Sequence, residues 1–300
     1  MDLGAVELLA SCPLLLAFIL GDGKRAASAH VPVLVYHRIL APGQEGTPQV
    51  PGVSAADFAR QIAYLAEAGY TTVLLTELTG RRPERPVGRP VVITFDDGWS
   101  STRTHALPIL HRYGMTATAF VTTDPQASVF DPARDVDPPL RPEEWSALAE
   151  AGWEIGSHTH THPPLVECGD DRLREELSRS RAELESATGQ PTTFLATPFG
   201  LSNTRVEVAA REVGYTGMCP GLAGLSRWGI PPFAVRRVGV GPRADLGAFR
   251  RLLTPWGAGA ARMCGTAKTL VRRAIGHENS MRLRGAILRT RMRMGGGPCP

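Results

Sequence analysis

The chain predicts an α/β fold in which parallel strands alternate with crossover helices. Three observations lead there. From residue 31 onward, short runs rich in Val, Ile and Leu alternate with segments whose apolar residues recur at helical spacing. Several of the helical segments close on a glycine, and the polar residues with chemical capacity fall just after the apolar runs. Such alternation gives either a barrel or an open doubly wound sheet, and in both the chemistry belongs at the carboxyl ends of the strands.

Val31 to His37 reads as a buried strand. Ser54 is placed to cap a helix carrying Phe58, Ile62 and Leu65 and stopped by Gly69. Strands follow at Thr71 to Leu75 and Val91 to Phe95, with an Arg- and Pro-rich loop from Arg81 to Pro90 between them. Ala106 to Tyr113 is helical up to Gly114, and Thr116 to Val121 is a strand. The Pro- and Asp-dense stretch from Phe130 to Pro142 is a loop, Glu143 to Glu150 a short helix, and Trp153 to Gly156 a strand. Leu173, Leu177 and Leu184 mark one face of a charged helix ended by Gly189, and Thr192 to Leu195 is the next strand. Asn203 caps a helix bearing Val206, Ala210 and Val213, with Gly214 beyond it. Strands near Tyr215 to Cys219 and Phe233 to Val240 complete the series.

Composition bounds the function without choosing it. With 43% hydrophobic and 21% charged residues over 300 positions, the chain can bury one large core or two modest ones, and disorder is excluded. The formal charge of +4 is uneven, because basic residues far outnumber acidic ones from Arg250 to Arg293. Such a tail suits an anionic membrane surface or a solvated extension. Nucleic acid is the weaker partner, since no aromatic residues interleave the basic ones and no nucleic-acid module is recognisable. Five widely spaced cysteines without a CxxC pair make neither a disulfide framework nor a structural zinc motif. Leu8 to Leu20 is apolar, yet it contains Pro13 and its basic residues, Lys24 and Arg25, follow rather than precede it, which is not the order of a secretory signal.

Two clusters carry chemistry. Asp96 and Asp97 sit directly beyond an apolar strand and before Gly98. Alternation sends adjacent side chains in different directions, so one carboxylate is available to a metal and the other to substrate, although Asp-Gly is also a common turn signal. His158, His160 and His162 place three of eight histidines within five residues, again after a strand. An i, i+4 pair puts two imidazoles on one face of a helical turn, which suits a divalent metal.

These segments resemble the polysaccharide deacetylases, the NodB-homology or family-four carbohydrate esterases. Thr94-Phe95-Asp96-Asp97-Gly98 matches their first motif, and His158-Thr159-His160-Thr161-His162 their second. Similarity continues through Ala106 to Leu110, Gly114 to Thr118 and Ala151 to Ser157, and spans roughly residues 31–250. The resemblance implies an irregular (β/α) barrel of about seven strands that hydrolyses the N-acetyl group of a glycan or its lipid-linked precursor. It implies a metal held by Asp97, His158 and His162, with Asp96 as general base and His160 at a variable, supporting position. Zinc is the first choice of ion, with cobalt, nickel or iron as alternatives and calcium disfavoured by ligand type. A cell-envelope or membrane-associated setting goes with the family. A non-catalytic glycan-binding relative and a metal hydrolase of another small amide are the competing readings. Residues 1–30 are then a leader or surface helix, 31–250 the catalytic domain and 251–300 the basic tail.

The third motif departs from the family pattern. Ala196-Thr197-Pro198-Phe199-Gly200 lacks the Arg that orients the base in many members, so a looser Asp96 is expected. This form resembles the exopolysaccharide-type branch. In that branch Pro198 and Phe199 line the substrate and oxyanion side, and Arg237 replaces the lost Arg beside Asp96. The late Leu-x-His motif is also missing, and the resemblance assigns the proton donor to His37 in Tyr36-His37.

Overall fold

The computed structural model describes residues 30–43, 52–80, 88–130, 133–242 and 244–259. The readings for the N-terminal apolar segment and for the basic tail beyond 259 lie outside the described residues. Among the described residues, no helix is long and apolar enough to cross a membrane.

One sheet organises the chain. Its strands are β1 (Val33–Tyr36), β2 (Tyr70–Thr72), β3 (Arg89–Phe95), β4 (Thr118–Val121), β5 (Glu154–Ser157), β6 (Phe194–Ala196), β7 (Gly217–Cys219) and β8 (Val238–Gly239). Seven run in the order β7-β6-β5-β4-β3-β1-β8, and β2 pairs with the first residues of β3. Every pairing in this sheet is parallel. The sheet curls into a half-barrel around those seven strands, as the family resemblance implies, rather than the open doubly wound sheet that the strand pattern also allows.

The helices lie between these strands, with the last one following β8. They are α1 (Ala55–Glu67), α2 (Leu75–Thr79), α3 (Leu107–Arg112), α4 (Pro142–Glu150), α5 (Asp170–Thr188), α6 (Thr204–Val213) and α7 (Leu246–Leu252). Ser54 and Asn203 cap α1 and α6 as expected, their side chains accepting from Asp57 N–H and Val206 N–H.

Both faces of the sheet are covered, which is why the strands read as continuous apolar runs. Along β3, Val91, Ile93 and Phe95 join the core under the helices, whereas Val92 joins Phe120, Phe194 and Cys219 inside the barrel. Gly156 makes room there: a Cβ would lie 2.5 Å from the Phe120 ring. Alternation therefore sets the even-numbered residues of β3, Val92 and Thr94, on the inner face, with Asp96 next in that register.

Several boundaries differ from expectation. The strand at Thr71 stops at Thr72, because Leu75 starts α2, where Glu154 and Glu77 accept the N–H groups of Leu75 and Leu74. Arg89 and Pro90 belong to β3 rather than to the preceding loop. A wide π-turn over Thr102–Ala106 precedes α3, and Pro142 is the first residue of α4. The strand read across Phe233 to Val240 shrinks to Val238–Gly239, since Pro231 and Pro232 begin a 3₁₀ turn through Ala234.

Candidate active site

The carboxyl ends of β1, β3, β5 and β6 deliver His37, Asp96 with Asp97, His158, and Pro198 with Phe199 to one rim. His162 arrives from the loop after β5 and Arg237 from the residue before β8. The four described non-glycine residues with left-handed φ are Asp97 (76°), Thr159 (72°), His162 (60°) and Phe199 (59°), and all belong to this rim. Such conformations cost on the order of 1–3 kcal/mol each and persist where surroundings over-determine them.

At Asp97 the left-handed turn corrects the expectation from strand alternation. Continued extended backbone would send Asp97 to the helix side, away from Asp96. Instead Asp97 Oδ1 lies 3.5 Å from both His158 Nε2 and His162 Nε2. One donor atom from each residue falls within 4.8 Å of the others, and all three residues are buried. The histidines do not occupy a helical turn as the i, i+4 spacing suggests. Residues 158–162 form a loop bent by Thr159 and His162, in which Thr159 Oγ1 accepts the His162 N–H at 3.0 Å.

The supports of these side chains suit a cation. His158 Nδ1 is 2.8 Å from the Ala196 carbonyl, which fixes that nitrogen as the donor and leaves Nε2 for coordination. Trp99 Nε1–H donates to Asp97 Oδ2 at 3.0 Å, so Oδ1 is the oxygen turned to the histidines. Burial pushes His162 down to about 3, helped by the neighbouring His158 charge, which makes it a neutral imidazole at ordinary pH. Two imidazoles and one carboxylate form a common donor set for zinc and its neighbours, with open positions remaining.

Asp96 differs from Asp97 in its partners. Arg237 Nη1 donates to its Oδ1 at 2.6 Å and Nη2 to its Oδ2 at 2.8 Å, while Nη1 also reaches Thr94 Oγ1 at 3.2 Å. Asp96 is thus held by a bidentate pair rather than loosely as the altered third motif suggests. Burial alone would raise its pKa, but the Arg237 and His158 charges outweigh burial and hold it below the usual carboxylate range. Burial is likewise overcome at Asp97 by the His158 hydrogen bond and the His37 and His162 charges. For His158, burial would lower the pKa, but its bond to Asp97 and the two carboxylate charges raise it.

His37 is exposed on the rim and acts electrostatically on Asp96, Asp97 and His162. The Phe199 ring packs edge-on against His162 with centroids 4.7 Å apart, and Pro198 is buried. Gly221 lets this turn close, since a Cβ there would meet the Gly200 carbonyl oxygen at 2.2 Å. His160 faces away from the donor set, its Nδ1 lying 2.8 Å from Thr123 Oγ1 and 3.3 Å from Glu183 Oε2. Sequence reasoning missed Trp99 and Glu176. The latter's carboxylate receives the N–H groups of both His160 and Thr161.

Fold and site define a class, that of α/β proteins whose chemistry-bearing groups gather on the rim of a parallel half-barrel. The family follows from likeness. Residues 84–218 match the family model for polysaccharide deacetylases. The polysaccharide deacetylase homologue YxkH of Bacillus subtilis is 27% identical over 228 residues, covering 75% of this chain and 77% of YxkH. The peptidoglycan-N-acetylglucosamine deacetylase PgdA of Listeria monocytogenes is 29% identical over 133 residues, which cover 44% of this chain and 25% of PgdA. The structure of IcaB from Ammonifex degensii superposes with a TM-score of 0.63 at 26% identity, covering 77% of this chain and 97% of that one. Over residues 84–218 the chain is thus similar to the polysaccharide deacetylases, hydrolases of carbon–nitrogen bonds in acetylated glycans, and it shares their NodB-type fold.

Proposed function

We propose that the protein is a metal-dependent N-deacetylase of the exopolysaccharide type, acting on an N-acetylated glycan or its lipid-linked precursor and releasing acetate. The observation that carries this reading is the convergence of Asp97 Oδ1, His158 Nε2 and His162 Nε2 beside an Asp96 clamped by Arg237.

A divalent cation bound by Asp97, His158 and His162 supplies Lewis acidity to the acetyl carbonyl and to the attacking water. Asp96 accepts one proton from that water as its oxygen bonds to the carbonyl carbon. Its ionised form is secured by Arg237, whose two N–H bonds also fix the direction of the carboxylate. By the family resemblance, the Phe199 main-chain N–H would serve the developing oxyanion, with Pro198 beside it on the substrate side. His37 then donates a proton to the sugar nitrogen as the carbon–nitrogen bond breaks, giving a free amine and acetate. Its exposed position on the rim suits a donor that must reach a polymer lying across the mouth.

The test is acetate release from N-acetylglucosamine oligomers by purified protein, before chelation, after chelation and after addition of zinc or cobalt. Activity lost on chelation and regained with metal is the expected result. Metal-loaded protein that turns over neither oligomers nor acetylated lipid-linked sugars would overturn the reading.

A further inference from the structure

We infer that α5 carries a positioning stripe, centred on Glu176, which holds the histidine loop in its metal-binding shape; the inference rests on the metal-site reading above. Glu176, Ser180 and Glu183 follow at i, i+4 and i+7, so they share one face of the helix. Each meets the segment 157–161. Glu176 Oε2 accepts the His160 N–H at 3.0 Å and the Thr161 N–H at 2.7 Å, and Oε1 accepts the Thr161 hydroxyl. Ser180 and Ser157 share a hydroxyl–hydroxyl hydrogen bond, and Ser157 Oγ in turn accepts the Thr159 N–H at 3.1 Å. Glu183 Oε2 stands 3.3 Å from His160 Nδ1.

The stripe acts where the loop most needs it. Thr159 and His162 both hold left-handed conformations that L-residues rarely adopt, and Glu176 grips the two residues between them. Glu176 and Ser180 are buried, and Glu176 pairs with the N–H of buried His160 and of half-buried Thr161. A carboxylate accepting three donors at once makes strong, charge-assisted bonds that a relaxed loop would forfeit. Leu173, Leu177 and Leu184 anchor the same helix in the core, so the stripe stands on a packed support. Glu176 touches no reacting atom; its effect passes through the relative placement of His158 and His162.

The experiment measures affinity of the full chain for cobalt(II) and zinc by chelator competition, with the visible cobalt spectrum as a direct report of ligand geometry. Glu176→Met removes every acceptor and should weaken binding by about 10–100-fold, the usual effect of losing a ligand's support, and alter the cobalt bands. Glu176→Gln, whose amide oxygen can still accept both N–H groups, should recover most of that loss. Ser180→Ala should weaken binding several-fold. Glu175→Gln, an exposed neighbour with the same charge change, should leave affinity unchanged. A Glu176→Met protein that melts earlier but binds metal as the wild type does would reduce Glu176 to a fold-stabilising residue and overturn the inference. If Glu176→Met does not fold, Ser180→Ala decides, and unaltered affinity and spectrum there overturn it equally. Wild-type protein that binds neither metal would instead defeat the functional reading.

Discussion

The barrel holds carboxylates at both ends, and they behave oppositely. At the rim, Asp96 and Asp97 are shifted down because Arg237 and the imidazoles face them. At the floor, Glu154 opens β5 on the inner face and is shifted up, because burial outweighs the neutral donors around it. Those donors are the Thr118 hydroxyl at 3.0 Å and the Leu75 N–H at 3.1 Å, where α2 begins. Glu154 is half-buried where Asp96 and Asp97 are buried, yet it is the one shifted up, so the charged partners decide which end holds ready anions. A cation site and a general base need those anions, and a helix cap does not.

The largest effect expected at the rim is that of Asp97→Asn. It keeps the shape and the Trp99 contact but removes the anionic donor, so metal content should fall to background. Acetate release should drop roughly a thousandfold or more, the scale of losing Lewis-acid stabilisation. In the wild type, proton and metal compete for His158, whose pKa is raised by Asp97 and Asp96 against the opposing effect of burial. Metal affinity measured by chelator competition should therefore decline as pH falls through that raised value. Full metal occupancy in Asp97→Asn would break the contrast between the two ends.

His37→Ala comes next. Loss of a proton donor should cost about 10²–10⁴ in kcat, while metal content stays at the wild-type level because His37 is not among the donor set. Below it stands Arg237→Met, with a loss of roughly 10–100-fold expected from disturbed orientation of the base. The direction of its pH effect matters more than its size. Without the guanidinium, burial dominates at Asp96 and its pKa rises, so the acid limb of kcat/KM against pH should move to higher pH. An unmoved limb would show that Arg237 does not set the ionisation of Asp96.

How much of this could be read in the sequence depends on how local the cause is. The caps at Ser54 and Asn203 and the stop at Gly189 are decided within a few residues, and they stand where the sequence places them. The alternation of strands and helices survives for the same reason. The Phe233 to Val240 strand is shorter than its apolar pattern suggests, because the 3₁₀ turn begun by Pro231 and Pro232 takes its first residues and only Val238 and Gly239 pair with β1. In the site, residue types and order mark the Asp-Asp and His clusters, but helical spacing gave the wrong mechanism for their convergence. That convergence needs left-handed backbone at Asp97, Thr159 and His162, and supports from Trp99 and Glu176 that only packing brings near. Arg237 lies 141 residues from Asp96, and no spacing rule links them; resemblance to a family named it.

The smallest effect belongs to the floor, and it tests the comparison most cleanly. Glu154 binds its proton more tightly folded than unfolded, so its stabilising contribution is full below the ordinary glutamate value of 4.5 and is lost as pH rises through the raised folded value. Glu154→Gln cannot ionise, yet its amide oxygen can still accept the Leu75 N–H. Its melting temperature should therefore fall less steeply than the wild type's as pH rises above that window, with a shift of a few degrees at most. Because no cation among the described residues acts on Glu154, metal affinity and turnover should stay at wild-type values. A change in kcat would mean that the floor communicates with the rim through β5, which carries Glu154 at one end and leads to His158 at the other. The two ends would then be one electrostatic unit rather than two.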